Sequence, residues 1–238
     1  MPILEINQLT KVYKNNKKAV DQLTLSVEKG DIFGFIGGNG SGKTTTIKAV
    51  VGIHHFDQGE ILIDGHCIQK DPLTCKSKMA YIPDQTNLYE HLTGYQYIHF
   101  IADLYHVPTA KRKQAIKKYS DLFEMTPNLG NVISSYSHGM RRRTAIIAAL
   151  VHAPKLFILD EPFIGLDPKA SYLLKQAMQE CASNGGAIFF STHVLDVAEK
   201  LCNKIAIIHN GKLIASGPTE AVKGNQSLED FFMEVQSP

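Results

Sequence analysis

An α/β fold is predicted for this 238-residue chain by three features of its sequence. An unbroken apolar run, IFGFI at 32–36, opens into a glycine-rich turn and then into a helical pattern, TTTIKAVVG. A second apolar run, LFILDE at 156–161, ends in two carboxylates. Between the two runs lies a long stretch of helical periodicity, which is expected to form a mainly helical lobe over 86–150 inserted into the α/β core.

The elements follow in chain order. Residues 3–9 and 20–27 alternate apolar and polar positions about a Lys/Asn-rich segment, Lys14 to Lys18, and read as a hairpin or meander. IFGFI is short and wholly apolar, as an interior strand requires. GEILIDGH reads as a second hairpin with its turn at Asp64-Gly65. YIHFIADLYH and RKQAIKKYSDLFEM have helical spacing, with breaks near Pro108 and Pro127. GGAIFFSTH and NKIAIIHNGKLIASG return to strands and turns, and SLEDFFMEVQ reads as a short terminal helix. The chain is expected to be one domain, 1–238, with 216–238 as a short tail.

Composition narrows the function. Apolar residues make up 44% and charged residues 20%, the balance of a globular chain with a substantial core. Lys plus Arg total 25 against 23 acidic residues, and the formal charge of +2 is too small and too evenly spread for a polyanion-binding surface, so no nucleic-acid partner is expected. Cys67, Cys75, Cys181 and Cys202 form no CxxC pair and no zinc-type group with histidine, and are expected to be free thiols. The first residues hold too short an apolar run for a signal peptide, and no stretch approaches the roughly 20 apolar residues that span a bilayer.

Residues 37–44, GGNGSGKT, fit the pattern GxxxxGK[ST] between a strand and a helix. Here Gly37, Gly38, Asn39, Gly40, Ser41 and Gly42 would curl backbone N–H groups around a phosphate, and the helix start would add its positive dipole end. Lys43 would reach the β- and γ-phosphate oxygens, Thr44 would offer a hydroxyl to Mg²⁺, and Thr45 could meet the α-phosphate. A dinucleotide site would hold its pyrophosphate without the Lys43-Thr44 pair, so a nucleoside triphosphate with a metal is the better fit. At the second run, Asp160 would hold Mg²⁺ through its water shell and Glu161 would orient or deprotonate the attacking water. The bland alternative is that both carboxylates cap a helix after Pro162. His193, after AIFFST, stands where an imidazole could contact a γ-phosphate or help hold the water.

The ordered set GGNGSGKT, YSHGM (136–140), LFILDEP, GLD (165–167) and STH resembles the nucleotide-binding domains of ATP-binding cassette (ABC) transporters over nearly all of residues 3–215. The resemblance implies a P-loop ATPase with a RecA-like core, an N-terminal antiparallel β-subdomain and an inserted α-helical subdomain. It also implies a head-to-tail dimer with a second, identical or homologous subunit. In that dimer ATP held by Gly37 to Thr45 of one subunit is covered by Ser137, His138 and Gly139 of the other, and Asp167 lies at the seam. Tyr13, thirty residues before Lys43, stands where the family stacks an aromatic on adenine.

Two departures from the family pattern stand out. Where many members carry the Q-loop glutamine, YIPDQTNLY places Asp84, with Gln85 one residue later, so Asp84 is the expected Mg²⁺ contact and Gln85 its alternative. His138 and Met140 replace the usual glycine and glutamine of the signature. The resemblance further implies transmembrane permease partners and a place on the cytoplasmic face of the membrane. The helical lobe, with Leu88, Tyr89 and the 81–92 loop, is the expected docking surface. The wording around 83–93 and DEPFIGLDP lean toward export-type systems. The alternative in another class is a soluble ABC ATPase acting on a ribosomal or nucleic-acid assembly.

Overall fold

The computed structural model describes residues 2–14 and 16–236. In chain order the elements are β1 (Leu4–Val12), β2 (Lys18–Val27), β3 (Ile32–Ile36), α1 (Lys43–Val50), β4 (Gln58–Ile63), β5 (His66–Cys67), α2 (Pro72–Ser77) and β6 (Met79–Ile82). Three helices follow, α3 (Gly94–Leu104), α4 (Thr109–Leu122) and α5 (His138–Leu150), with two 3₁₀ turns at Thr126–Asn128 and Ile133–Ser135. The chain closes with β7 (Leu156–Asp160), α6 (Pro168–Ser183), β8 (Ala187–Thr192), α7 (Leu195–Leu201), β9 (Lys204–His209), β10 (Lys212–Pro218), α8 (Thr219–Lys223) and α9 (Leu228–Gln236).

Two sheets organise these elements. The smaller has the order β2-β1-β4-β5, with every pair antiparallel. Its last hairpin turns at Asp64 (φ 48°) and Gly65 (φ 79°), the two consecutive positive φ values of a tight hairpin turn. The larger sheet has the order β10-β9-β3-β8-β7-β6 and is parallel throughout except for β10, which pairs antiparallel with β9.

The strands of the larger sheet read as unbroken apolar runs because both faces are covered. Ile32 and Ile36 of β3, Phe157 and Leu159 of β7, and Ile188 and Phe190 of β8 belong to the core beneath the helices. Their alternating neighbours, Phe33 and Phe35, Leu156 and Ile158, and Ala187 and Phe189, belong to the core against the smaller sheet and α1. Side chains alternate along each strand, so hydrophobicity on both faces removes the polar positions that a half-exposed strand would show.

Helices α3 to α5 occupy the chain between β6 and β7, within the segment expected to hold the inserted lobe. Thr93 and Gln96 close a capping box at the start of α3. Pro108 precedes α4, and Ser137 caps α5 by accepting from the Met140 N–H at 3.3 Å. Residue 216 lies within β10, and α8 and α9 follow it. Leu228 of α9 is fully buried, and its N–H donates to Glu199 Oε2 at 3.0 Å, which docks the helix on α7. Of the segments named above, Asn15 in the first hairpin and residues 237–238 of the tail lie outside the described residues. All four cysteines are free thiols. Among the described residues no helix is long and apolar enough to cross a membrane.

Candidate nucleotide site

Parallel strands bring distant motifs to one edge. Ile36 is in register with Thr192, Asp160 with Ser191, and Ile82 with Leu159. The segments that leave these carboxyl ends therefore stand side by side: Pro83-Asp84 after β6, Asp160-Glu161 at β7, His193 after β8 and the glycine loop after β3. Ligands of open α/β sheets bind at this edge. A cavity of about 450 Å³ opens there, lined by Gly38 to Thr45 together with Tyr13, Asp84, Glu161 and His193.

The loop is shaped for an anion. At Gly37 an added Cβ would lie 2.5 Å from both the Ile208 carbonyl oxygen and Ser41 Oγ, and at Gly42 (φ 113°) it would lie 2.4 Å from the Ala19 carbonyl oxygen. Helix α1 starts directly after the loop with no acidic residue in its first turn, so its positive end is not neutralised by its own side chains. Lys43 is 6% exposed, and its Nζ donates to the carbonyls of Gly37 (2.6 Å) and Gly38 (3.2 Å). Ser41 Oγ is buried without a hydrogen-bond partner among the described residues. A loop that holds a buried ammonium and an unpaired hydroxyl is poised for the oxygens of a phosphate chain.

Five contacts organise the acidic strand end. Ser191 Oγ donates to Asp160 Oδ1 at 2.5 Å and accepts from the Glu161 N–H at 3.0 Å, so β8 orients both acidic residues of β7. Thr44 Oγ1 stands 3.4 Å from the same Asp160 oxygen. Glu161 has Oε1 3.4 Å from Lys43 Nζ and Oε2 3.1 Å from His193 Nδ1. A carboxylate only accepts, so the hydrogen of that last bond sits on Nδ1. Glu161 also adopts φ 47°, a left-handed conformation that a non-glycine residue holds only where its surroundings impose it. Beyond Glu161 the chain turns without forming a helix until Pro168, so the carboxylates do not cap a helix after Pro162.

The donor set suits Mg²⁺. Thr44, Asp160 and Asp84 offer hard oxygens only, and among the described residues no group of three His, Cys, Asp or Glu side chains forms a cage. A cation held by one or two carboxylates with substrate oxygens completing its shell is the usual Mg²⁺ arrangement. Asp84 lines the cavity whereas Gln85 is not among the lining residues. Alanine at Asp84 is therefore expected to raise the Mg²⁺ concentration needed for half-maximal turnover by about 10-fold or more, and alanine at Gln85 to leave it within about twofold. A Mg²⁺ titration of turnover checks this, and a shift confined to the Gln85 variant would reverse the assignment.

Tyr13 lies at the far rim, 40% exposed, with its hydroxyl 3.3 Å from Thr45 Oγ1 and 3.5 Å from His54 Nδ1. Burial, Lys48 and Lys11 hold the His54 pKa below its usual value. The ring is thus tied to the first turn of α1, directly after the glycine loop, with Lys11 Nζ 5.7 Å from its centroid.

The remaining expected residues do not enter this cavity. Ser137, His138 and Gly139 form the start of α5, and Asp167 caps α6 by accepting from the Ala170 N–H at 2.8 Å while pairing with Arg143 at 2.5 Å. His138 lies close to Gly165, since a Cβ there would sit 3.2 Å from its ring. Sequence reasoning gave no role to Ser191 or His54, and took Arg142 only as part of the basic run Arg141-Arg142-Arg143 that follows the signature. Ser191 had a usable signal, a hydroxyl one strand position before the end of AIFFST; Arg142 was hidden within a run of three arginines.

A sequence model described as "ABC transporter" matches residues 20–164. The chain is 31% identical to the ABC-type transporter ATP-binding protein EcsA of Bacillus subtilis, over 99% of this chain and 97% of the relative. It is 32% identical to the linearmycin resistance ATP-binding protein LnrL of the same organism, over 90% of this chain and 69% of the relative. A solved structure described as the ATP binding subunit of an ABC transporter superposes with a TM-score of 0.95 at 32% identity, covering 99% of this chain and all of that one.

Proposed function

Because this chain belongs to the ABC transporter family, as an ATP-binding and ATP-hydrolysing subunit, we propose that it powers export by closing head to tail with a second such subunit over ATP. The observation that carries the reading is the Glu161 carboxylate, held between Lys43 and His193 at the mouth of the glycine loop. In this structure Lys43 Nζ is occupied by two loop carbonyls and by Glu161. Phosphate oxygens would take over that ammonium and free the carboxylate to accept a proton from water, while the His193 N–H keeps Glu161 oriented. Mg²⁺, when bound by Thr44, Asp160 and Asp84, supplies charge compensation for the phosphate oxygens.

Ser137, His138 and Gly139 are not among the residues that line this subunit's own cavity. Their place at a helix start, with its positive dipole end and with Ser137 and His138 exposed, suits the γ-phosphate of a neighbour's nucleotide. Asp167 would sit at the same seam. Neither site is then complete in one chain, and ATP acts as the bridge that draws two together. The permease docks by this reading on the helical lobe, where Tyr89 is 52% exposed and Leu88 lines a groove with Tyr97, Ile101 and Tyr105.

The export direction is supported by the wording of residues 83–93 and by the resistance role in the printed name of one relative. Capture of the tagged chain from detergent-solubilised membranes is expected to bring with it a polytopic membrane protein in a stable complex. Ribosomes or DNA in its place would overturn the transport reading in favour of a soluble assembly factor.

A further inference from the structure

The arginines at 141–143 have different fates. Arg141 pairs with Glu90 and Arg143 with Asp167, each at 2.5 Å and each at a carboxylate near the surface. Arg142 is 1% exposed and among the described residues has no carboxylate within ion-pair distance. Its Nη1 donates to the carbonyls of Asp84 (2.6 Å) and Pro83 (3.0 Å), with Thr86 Oγ1 at 3.5 Å. Its Nη2 donates to the carbonyls of Glu161 (3.1 Å) and Asp160 (3.4 Å), and its buried Nε has no partner among the described residues.

For stability alone this is an expensive choice. A buried cation loses its hydration, and backbone carbonyls replace only part of it. The burial lowers the Arg142 pKa, while the more distant carboxylates of Asp84 and Asp160 oppose that shift. An apolar side chain would fill the same space without the penalty. What it would not do is hold two separate loops by their backbones.

We infer that Arg142 is a positioning residue that ties the Asp84 loop and the Glu161 strand end to helix α5, so that contact at Ser137–Gly139 and hydrolysis in the same subunit move together. The helix start that would meet a neighbour's nucleotide is within two turns of Arg142 on one rigid element. The bonds to Asp84, Pro83 and Glu161 have little slack, so a shift of α5 is delivered at once to the metal-facing loop and to the general base. Misplacement of a reacting group by about 1 Å can cost about 100-fold in rate. The inference rests on the ATPase reading of the site given above.

The test compares Arg142→Met, which fills the space without donors, with Arg142→Lys, which keeps the charge but loses the planar fork. Turnover, binding of a fluorescent ATP analogue, and amide hydrogen exchange would be measured on the full chain. In both variants kcat is expected to fall about 100-fold, with nucleotide affinity within about threefold of the native chain. Exchange should quicken in 83–86 and 161–164 together, with the rest of the core unchanged. Native kcat in folded Arg142→Met would overturn the inference. So would faster exchange throughout α5 and the core, or failure of both variants to fold, since either assigns a purely structural role. Absence of turnover in the unsubstituted chain would strike the ATPase reading alone, and the exchange of the two segments would still decide for or against Arg142.

Discussion

Glu161→Gln is expected to lower ATP turnover by about 100-fold or more while ATP binding survives. The substitution keeps shape and length, so Ser191 still receives the backbone N–H at 161 and the side-chain amide oxygen can still accept from His193 Nδ1. What disappears is the negative charge and the basic oxygen that would take a proton from water. Because the carboxylate also faces Lys43 at 3.4 Å, its neutralisation removes a competitor for that ammonium, and affinity for ATP should hold or rise. With hydrolysis blocked, the bridging nucleotide persists and an ATP-dependent dimer should accumulate. Single-turnover kinetics and light scattering with ATP and Mg²⁺ check both parts. Hydrolysis near the native rate would reject Glu161 as the general base, and a strictly monomeric ATP complex would reject closure through ATP.

Lys43→Ala should act at the earlier step, binding itself. Lys43 is the ammonium buried inside the loop, and two carbonyls aim at it from Gly37 and Gly38. Truncating one partner of a buried, hydrogen-bonded charge pair costs about 2–5 kcal/mol. That converts to a loss of nucleotide affinity of about 30-fold or more. Lys43→Arg should rescue it poorly, because a planar fork does not occupy a space closed around a compact ammonium. Calorimetric titration with ATP would show the loss. Unchanged affinity in the alanine variant would mean that the triphosphate is held elsewhere.

Much of the site was legible because its chemistry is local. GGNGSGKT carries its glycines, lysine and threonine in one continuous loop, and Lys43 finds its carbonyl partners, Gly37 and Gly38, within that loop. LFILDE and AIFFST were legible as strands because burial on both faces of the sheet leaves them apolar throughout. Asp84 and Gln85 differ only in three dimensions, where the bend after β6 brings the first and not the second to the cavity wall. The role of Ser191 was hidden for a related reason, although its hydroxyl near the strand end was visible. Its partners Asp160 and Glu161 lie in another strand, and register, not spacing, makes them neighbours.

From the sequence alone came the kinds of group present and the order in which the strands, the loop and the helix start follow one another. The tertiary structure decided which of those groups meet. It set β3 between β8 and β9, so that the loop, the carboxylates and His193 share one edge. It also chose among the arginines at 141–143. Successive helical residues are turned by about 100°, so three identical side chains in a row project to three sides of α5. Only the surroundings of each side make Arg141 and Arg143 surface partners of carboxylates and bury Arg142 against the carbonyls of two loops.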